Sequence, residues 1–125
     1  MNPTLFSYRY HTSENKQQPT QQIESWLKHW GVIYQRDTIW RAYDPHRDES
    51  FRFKLDFILT PMHGRKPTDY LLLEIITRQP APIVQRAEAR RQLLRTLWPG
   101  RMVCLDAHLL CTDIEAAQLR LLNAL

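Results

Sequence analysis

Glycine is scarce. Three glycines in 125 residues leave no room for a Gly-rich phosphate loop, a dinucleotide-binding fingerprint or a nucleophile elbow. Cysteine is scarcer still. Cys104 and Cys111 are the only two, with six residues between them and no C-x-x-C spacing. That pattern excludes a disulfide framework and reads as structural thiols in a reducing compartment, with Cys104, inside Val-Cys-Leu, a buried small hydrophobe. The five histidines, His11, His29, His46, His63 and His108, are scattered. None stands at zinc spacing from a cysteine or another histidine. No apolar run approaches the roughly 20 residues that cross a bilayer. Met1 to Gln22 lacks the apolar centre of a secretion signal. These absences predict a cytoplasmic chain with no membrane partner.

What is present is the mix of a folded domain. Hydrophobic residues make up 43% and charged residues 24% of the chain, too apolar for a disordered protein. The length fits one small domain. Residues 1–19 read as a polar lead-in and 20–125 as the domain. The formal net charge of +4 favours an anionic partner without establishing one.

Periodicity then gives the elements. Ile23, Trp26, Leu27 and Trp30 share one helical face, with Thr20 as N-cap and Gly31 ending the helix. Val32–Tyr34 and Thr38–Tyr43 are rich in β-branched and aromatic residues and predict one or two short strands. Asp44 to Glu49 is a turn broken by Pro45. Phe51–Thr60 alternates Phe51, Phe53, Leu55 and Phe57 against Arg52, Lys54, Asp56 and Ile58, a strand pattern. Tyr70–Thr77 is nearly continuous in hydrophobicity and reads as a central strand buried on both faces.

Gln79 to Pro82 opens a long helix, Ile83 to Trp98, with Ile83, Val84, Ala87, Leu94, Leu97 and Trp98 on its apolar face. Pro99-Gly100 ends it, and Arg101–Asp106 is a further strand. Thr112-x-x-Glu115 has the capping-box pattern, so the last helix is expected to start there. Its stripe is Ile114, Ala117, Leu121, Leu122 and Leu125. The order is αβββαβ plus a C-terminal helix. It predicts an α/β fold with a central mixed sheet of four to five strands flanked by helices.

Two acids stand inside apolar strands: Asp56 in Leu-Asp-Phe and Glu74 in Leu-Glu-Ile. They are 18 residues apart, enough for the rest of one strand, a loop and the start of its neighbour. Buried carboxylates need a counter-charge or a cation. Side by side they repel, and a divalent cation relieves that. Mg²⁺ or Mn²⁺ held there can bind a phosphate oxygen and activate water, the chemistry of phosphodiester hydrolysis. The competing account is a structural ion-pair network with Lys54, Arg52 or Arg78.

This pair resembles the motif of the PD-(D/E)xK nuclease superfamily, the restriction-endonuclease-like fold. Leu55-Asp56-Phe57 is similar to its Pro-Asp-Phe, and Glu74-Ile75-Ile76 to its Glu-x-Lys. The likeness spans about residues 20 to 110, carried by element order and these two motifs. It implies a metal-dependent DNA endonuclease of a mobile element, phage or DNA-processing system. By this resemblance Asp56, Glu74 and the Ile75 carbonyl hold the metal, and Glu24 on the first helix joins them. Leu55 stands in place of a proline that is not a ligand. Ile76 stands in place of the lysine that orients or deprotonates the attacking water, and it can do neither. Lys54 and Arg78, two residues from Asp56 and Ile76, are the substitutes the strand period offers.

Basic residues form a second signal. Arg86 and Arg90, and Arg91 and Arg95, are i, i+4 pairs on the long helix. Arg52, Arg65, Lys66 and Gln79 come from strands and loops, with Gln79 placed to contact phosphate near the acids. Together they make a candidate nucleic-acid surface, against the simpler account of solvated, partly neutralised faces. Trp40 and Tyr43 read as packing residues in preference to base-stacking ones. Three functions follow: a Mg²⁺-dependent endonuclease, acting alone, as a homodimer or in a larger nucleoprotein assembly; an inactive module of the same fold binding nucleic acid or protein; or a small interaction protein.

Overall fold

Alternating apolar side chains build a long hairpin. The computed structural model describes residues 16–60 and 69–125. It pairs β1 (Ile33–Asp44) with β2 (Glu49–Thr60) antiparallel, from Ile33 opposite Thr60 to Asp44 opposite Glu49. In the expected turn, Asp44 accepts a hydrogen bond from the His46 amide, and Tyr43 donates its hydroxyl to Asp48. Tyr43 is exposed, so it does not join the core as its aromatic character suggested. β3 (Leu71–Ile76) joins β2 antiparallel and β4 (Arg101–Asp106) joins β3 parallel, giving a four-stranded mixed sheet in the order β1-β2-β3-β4. The interior strand β3 is buried on both faces, as its unbroken apolar run predicts.

Helices cover both faces. α1 (Gln17–Trp30), α3 (Ala107–Thr112) and α4 (Ile114–Ala124) pack Ile23, Leu27, Leu110 and Leu121 on Leu71, Leu73, Ile75 and Leu105. α2 (Ala81–Leu97) covers the other face through Leu94, followed by Trp98, on Phe53, Leu55 and Leu72. Trp40 belongs to this second core, 5.0 Å from the Trp98 ring and 5.9 Å from Phe53.

The two cores meet at an inversion of the hairpin. Side chains two apart on a strand share a face. Yet Phe53 and Leu55 lie in one core and Phe57 and Leu59 in the other. On β1, Val32 and Tyr34 likewise part from Trp40 and Ala42. The switch falls where Arg36 pairs with Phe57 and Thr38 with Leu55 while Asp37 and Asp56 are left out of the register. Asp37 is left-handed there (φ 54), a conformation aspartate tolerates better than most residues. One strand with an interrupted ladder therefore replaces the one or two short strands read from 32–43.

Several boundaries differ from expectation. α1 starts at Gln17, and Thr20 is no cap: its hydroxyl donates to the Lys16 carbonyl inside the first turn. Gly31 does end α1, in a left-handed conformation (φ 70). The Thr112 capping box does not form. Asp113 caps α4 by accepting from the Ala116 amide, and α3 precedes it as a separate helix. Ile114 and Leu122 are exposed because only Ala117 and Leu121 of that stripe reach full burial. Cys104 is half-buried and Cys111 exposed, so neither is a core residue.

Gly100 follows α2 at a crowded corner. A Cβ there would lie 2.2 Å from the Tyr70 carbonyl oxygen and 3.1 Å from Trp98 Nε1. Backbone cannot yield cheaply, so Gly100→Ala is expected to cost about 2 kcal/mol. Urea denaturation checks this, and an unchanged midpoint would contradict it.

Candidate functional site

The two acids meet where β2 and β3 separate. Their ladder runs from Leu59 opposite Leu71 to Phe57 opposite Leu73 and goes no further. The next amides need partners, and the carboxylates supply them. The Asp56 N–H donates to Glu74 Oε2 at 3.1 Å, and the Ile75 N–H donates to Asp56 Oδ2 at 2.8 Å. Each acid thus holds the other strand's backbone, and the pair bridges the fork.

Each remaining oxygen faces a cation. Arg90 Nη1 of α2 lies 2.6 Å from Glu74 Oε1, and its Nη2 donates to the Lys54 carbonyl at 2.7 Å. Its guanidinium also stands over Phe53, 5.6 Å from the ring centre. Lys16 Nζ lies 2.9 Å from Asp56 Oδ1. The counter-ions are therefore Arg90 and Lys16, and not Arg52, Lys54 or Arg78 as strand proximity suggested. All four carboxylate oxygens accept one hydrogen bond or ion pair, which leaves each about one further lone-pair site.

A cleft of about 540 Å³ opens over the pair. Lys16, Lys54, Arg90 and Arg91 line it with Asp37, Asp56, Glu74 and Glu88, so its charges balance four against four. A divalent cation at the acids would turn that balance positive and favour a phosphodiester. The far wall is Ile83, Val84 and Ala87 of α2. Ile83 and Val84 are 41% and 37% exposed. Helical spacing made them core residues, but they are exposed and border the cleft instead.

The other expected residues are dispersed. Ile75, Ile76 and Gln79 line the cleft, and Gln79 donates to the Thr77 hydroxyl at 2.9 Å. Arg78 is exposed and does not line it. Glu24 does not reach the acids, because it pairs with Arg36 at 3.2 Å on β1. Arg52 faces Arg41 across the outer hairpin, and Arg86 donates to the Pro82 carbonyl away from the cleft. Arg90 is not a free phosphate ligand, since Glu74 and the Lys54 carbonyl hold its guanidinium. Arg91 lines the cleft but pairs with Glu88. Arg65 and Lys66 lie outside the described residues.

Mg²⁺ fits this donor set only as a water-rich ion. Among the described residues no three His, Cys, Asp or Glu side chains converge on one point. Two carboxylates with several waters is nevertheless a set that Mg²⁺ accepts. Asp56 Oδ1 and Glu74 Oε1, held by Lys16 and Arg90 and not by backbone amides, are the oxygens it would share with or take from those side chains.

Burial pushes the Glu74 carboxyl above its ordinary value of 4.5, and the neighbouring Asp56 charge adds to this, while Arg90 pulls it down. The folded protein therefore binds more protons than the unfolded chain between 4.5 and the raised value. Stability carried by protonated Glu74 is lost as pH rises through that window. In chelator, Glu74→Gln is expected to flatten this decline in thermal melts taken across it. Parallel wild-type and variant profiles would contradict the assignment.

Lys16 and Asp37 carried little sequence signal. Lys16 sat in the polar lead-in, and Asp37 showed only as one acid among β-forming residues. Among the described residues, no helix is long and apolar enough to cross a membrane. Comparisons with protein-family models, with characterised proteins and with solved structures find no significant match for the chain.

Proposed function

We propose that the protein is a metal-dependent DNA endonuclease of the PD-(D/E)xK type with its motif lysine displaced. The observation that carries this reading is the Asp56–Glu74 pair at the strand fork, opening on a cleft that holds both acids and cations. The sheet order and the αβββαβ succession are compatible with such a core.

Asp56, Glu74 and the Ile75 carbonyl are the residues that would hold Mg²⁺ or Mn²⁺. The ion, when bound, supplies Lewis acidity toward a phosphate oxygen and a water of lowered pKa. The chain's own part is positional. The reciprocal amide bonds fix both carboxylates before any ligand arrives. Arg90 braces Glu74 from α2, Gln79 and Arg91 flank the cleft, and the Ile83–Val84 wall limits water on one side. In the overall reaction, water's oxygen forms one new bond to phosphorus and one phosphoester bond breaks, giving a phosphate monoester and a hydroxyl.

Supercoiled plasmid incubated with Mg²⁺ or Mn²⁺ is expected to be nicked or linearised, and chelator is expected to stop the reaction. Intact plasmid, single strands and four-way junctions at every metal concentration would overturn the proposal. A second reading, an inactive module of the same type, draws support from Ile76 and from the cation already paired with each acid. Its signature is a mobility shift that weakens steeply with salt and yields no cut product.

A further inference from the structure

We infer that Lys16 is the cation that this cleft offers to the substrate phosphate, a different task from the water-directed one of the absent motif lysine; this deepens the endonuclease reading and rests on it. The strand period pointed to Lys54 and Arg78. The folded chain instead brings a lysine from the start of α1 to the acid pair, with its ammonium 2.9 Å from Asp56 Oδ1 and its side chain lining the cleft.

The other cations of the cleft are placed for different work. Arg90 is held by Glu74, the Lys54 carbonyl and the Phe53 ring. Arg91 pairs with Glu88. Lys54 lines the cleft but forms no ion pair with either acid. Among the described cations of the cleft, Lys16 is held to the acid pair by one contact where Arg90 has three, and it is the more exposed, 49% against 36%. A pair with one well-exposed partner is weaker than a buried one, although Asp56 itself is only 12% exposed.

Two roles follow from that position. Without metal, Lys16 neutralises Asp56. A divalent cation at Asp56 would repel the ammonium, which would then be free to meet a non-bridging oxygen of the substrate phosphate. There it donates a hydrogen bond and brings a positive charge, which Ile76 cannot supply. Its proximity to the metal oxygen also makes it a competitor for that oxygen.

The test compares wild type, Lys16→Ala and Lys16→Arg. Lys16→Ala is expected to cut plasmid about 100-fold more slowly, the usual loss on removing one charged donor from a phosphoryl or oxyanion site. Lys16→Arg is expected to restore most of the rate, because charge and donor persist. Calorimetric titration with Mn²⁺ alone is expected to show about three- to five-fold tighter binding to Lys16→Ala than to wild type, since the half-exposed ammonium no longer competes for Asp56.

Wild-type cleavage by Lys16→Ala, or no rescue by Lys16→Arg, would overturn the role at phosphate. Unchanged Mn²⁺ affinity would overturn the competition for Asp56. Failure of the underlying reading looks different: the wild-type protein itself then neither takes up Mn²⁺ nor cuts. Circular dichroism of both variants establishes that α1 is intact.

Discussion

Asp56→Asn is expected to lower Mg²⁺-dependent plasmid cleavage by at least about 1000-fold, because several kcal/mol of metal-borne transition-state stabilisation are lost with the ligand. The substitution is nearly isosteric. Its amide oxygen can still accept from the Ile75 N–H, which now donates to Asp56 at 2.8 Å. The strand fork is therefore retained, and lost activity reports on charge at one oxygen. Asp56→Ala is the harsher control, since it also leaves the Ile75 amide without its acceptor. An Asp56→Asn protein that cuts within a few-fold of wild type would remove this carboxylate from the chemistry.

The largest stability effect is expected at Arg90. Glu74 is 4% exposed while Arg90 is 36% exposed, so deleting the arginine leaves a largely desolvated carboxylate without its counter-ion. Removing one partner of a buried pair costs about 3 to 5 kcal/mol, and partial exposure of the guanidinium reduces that to about 2 to 3 for Arg90→Ala. A melting temperature lower by roughly 10 °C follows for a domain of this size. Three contacts are lost together: the Glu74 pair, the Lys54 carbonyl bond and the cover over Phe53. Arg90→Lys is expected to recover only part, because one ammonium cannot span the two acceptors. The double variant Arg90→Ala/Glu74→Gln is expected to regain much of the loss, since the stranded charge is gone. Equal stability of Arg90→Ala and wild type would show that the pair is solvated.

The same residues explain what the amino-acid pattern could and could not convey. Alternation and an apolar run place Asp56 and Glu74 in neighbouring strands, and 18 residues suffice to bring them together. That much is local. Their counter-ions are not local: Arg90 stands 16 residues beyond Glu74 on a helix, and Lys16 comes from another element altogether. No periodicity reports such a pairing. The inversion at Asp37 was equally hidden, because a left-handed backbone residue leaves the hydrophobic alternation of β2 unbroken. Ile83 and Val84 misled for a geometric reason. Periodicity identifies the face of a helix, but not that a cleft stands opposite its first turn. Glu24 takes Arg36 of β1 as its counter-ion, a pairing between helix and strand that no local pattern reveals.

Isothermal calorimetry of chelator-treated protein with Mn²⁺ tests directly, without substrate or turnover, whether the fork between β2 and β3 binds a divalent cation through Asp56 and Glu74. Saturable heat is expected from the wild-type chain and none above dilution from Asp56→Asn at the same concentrations. Heat absent from both, or identical in both, would contradict it.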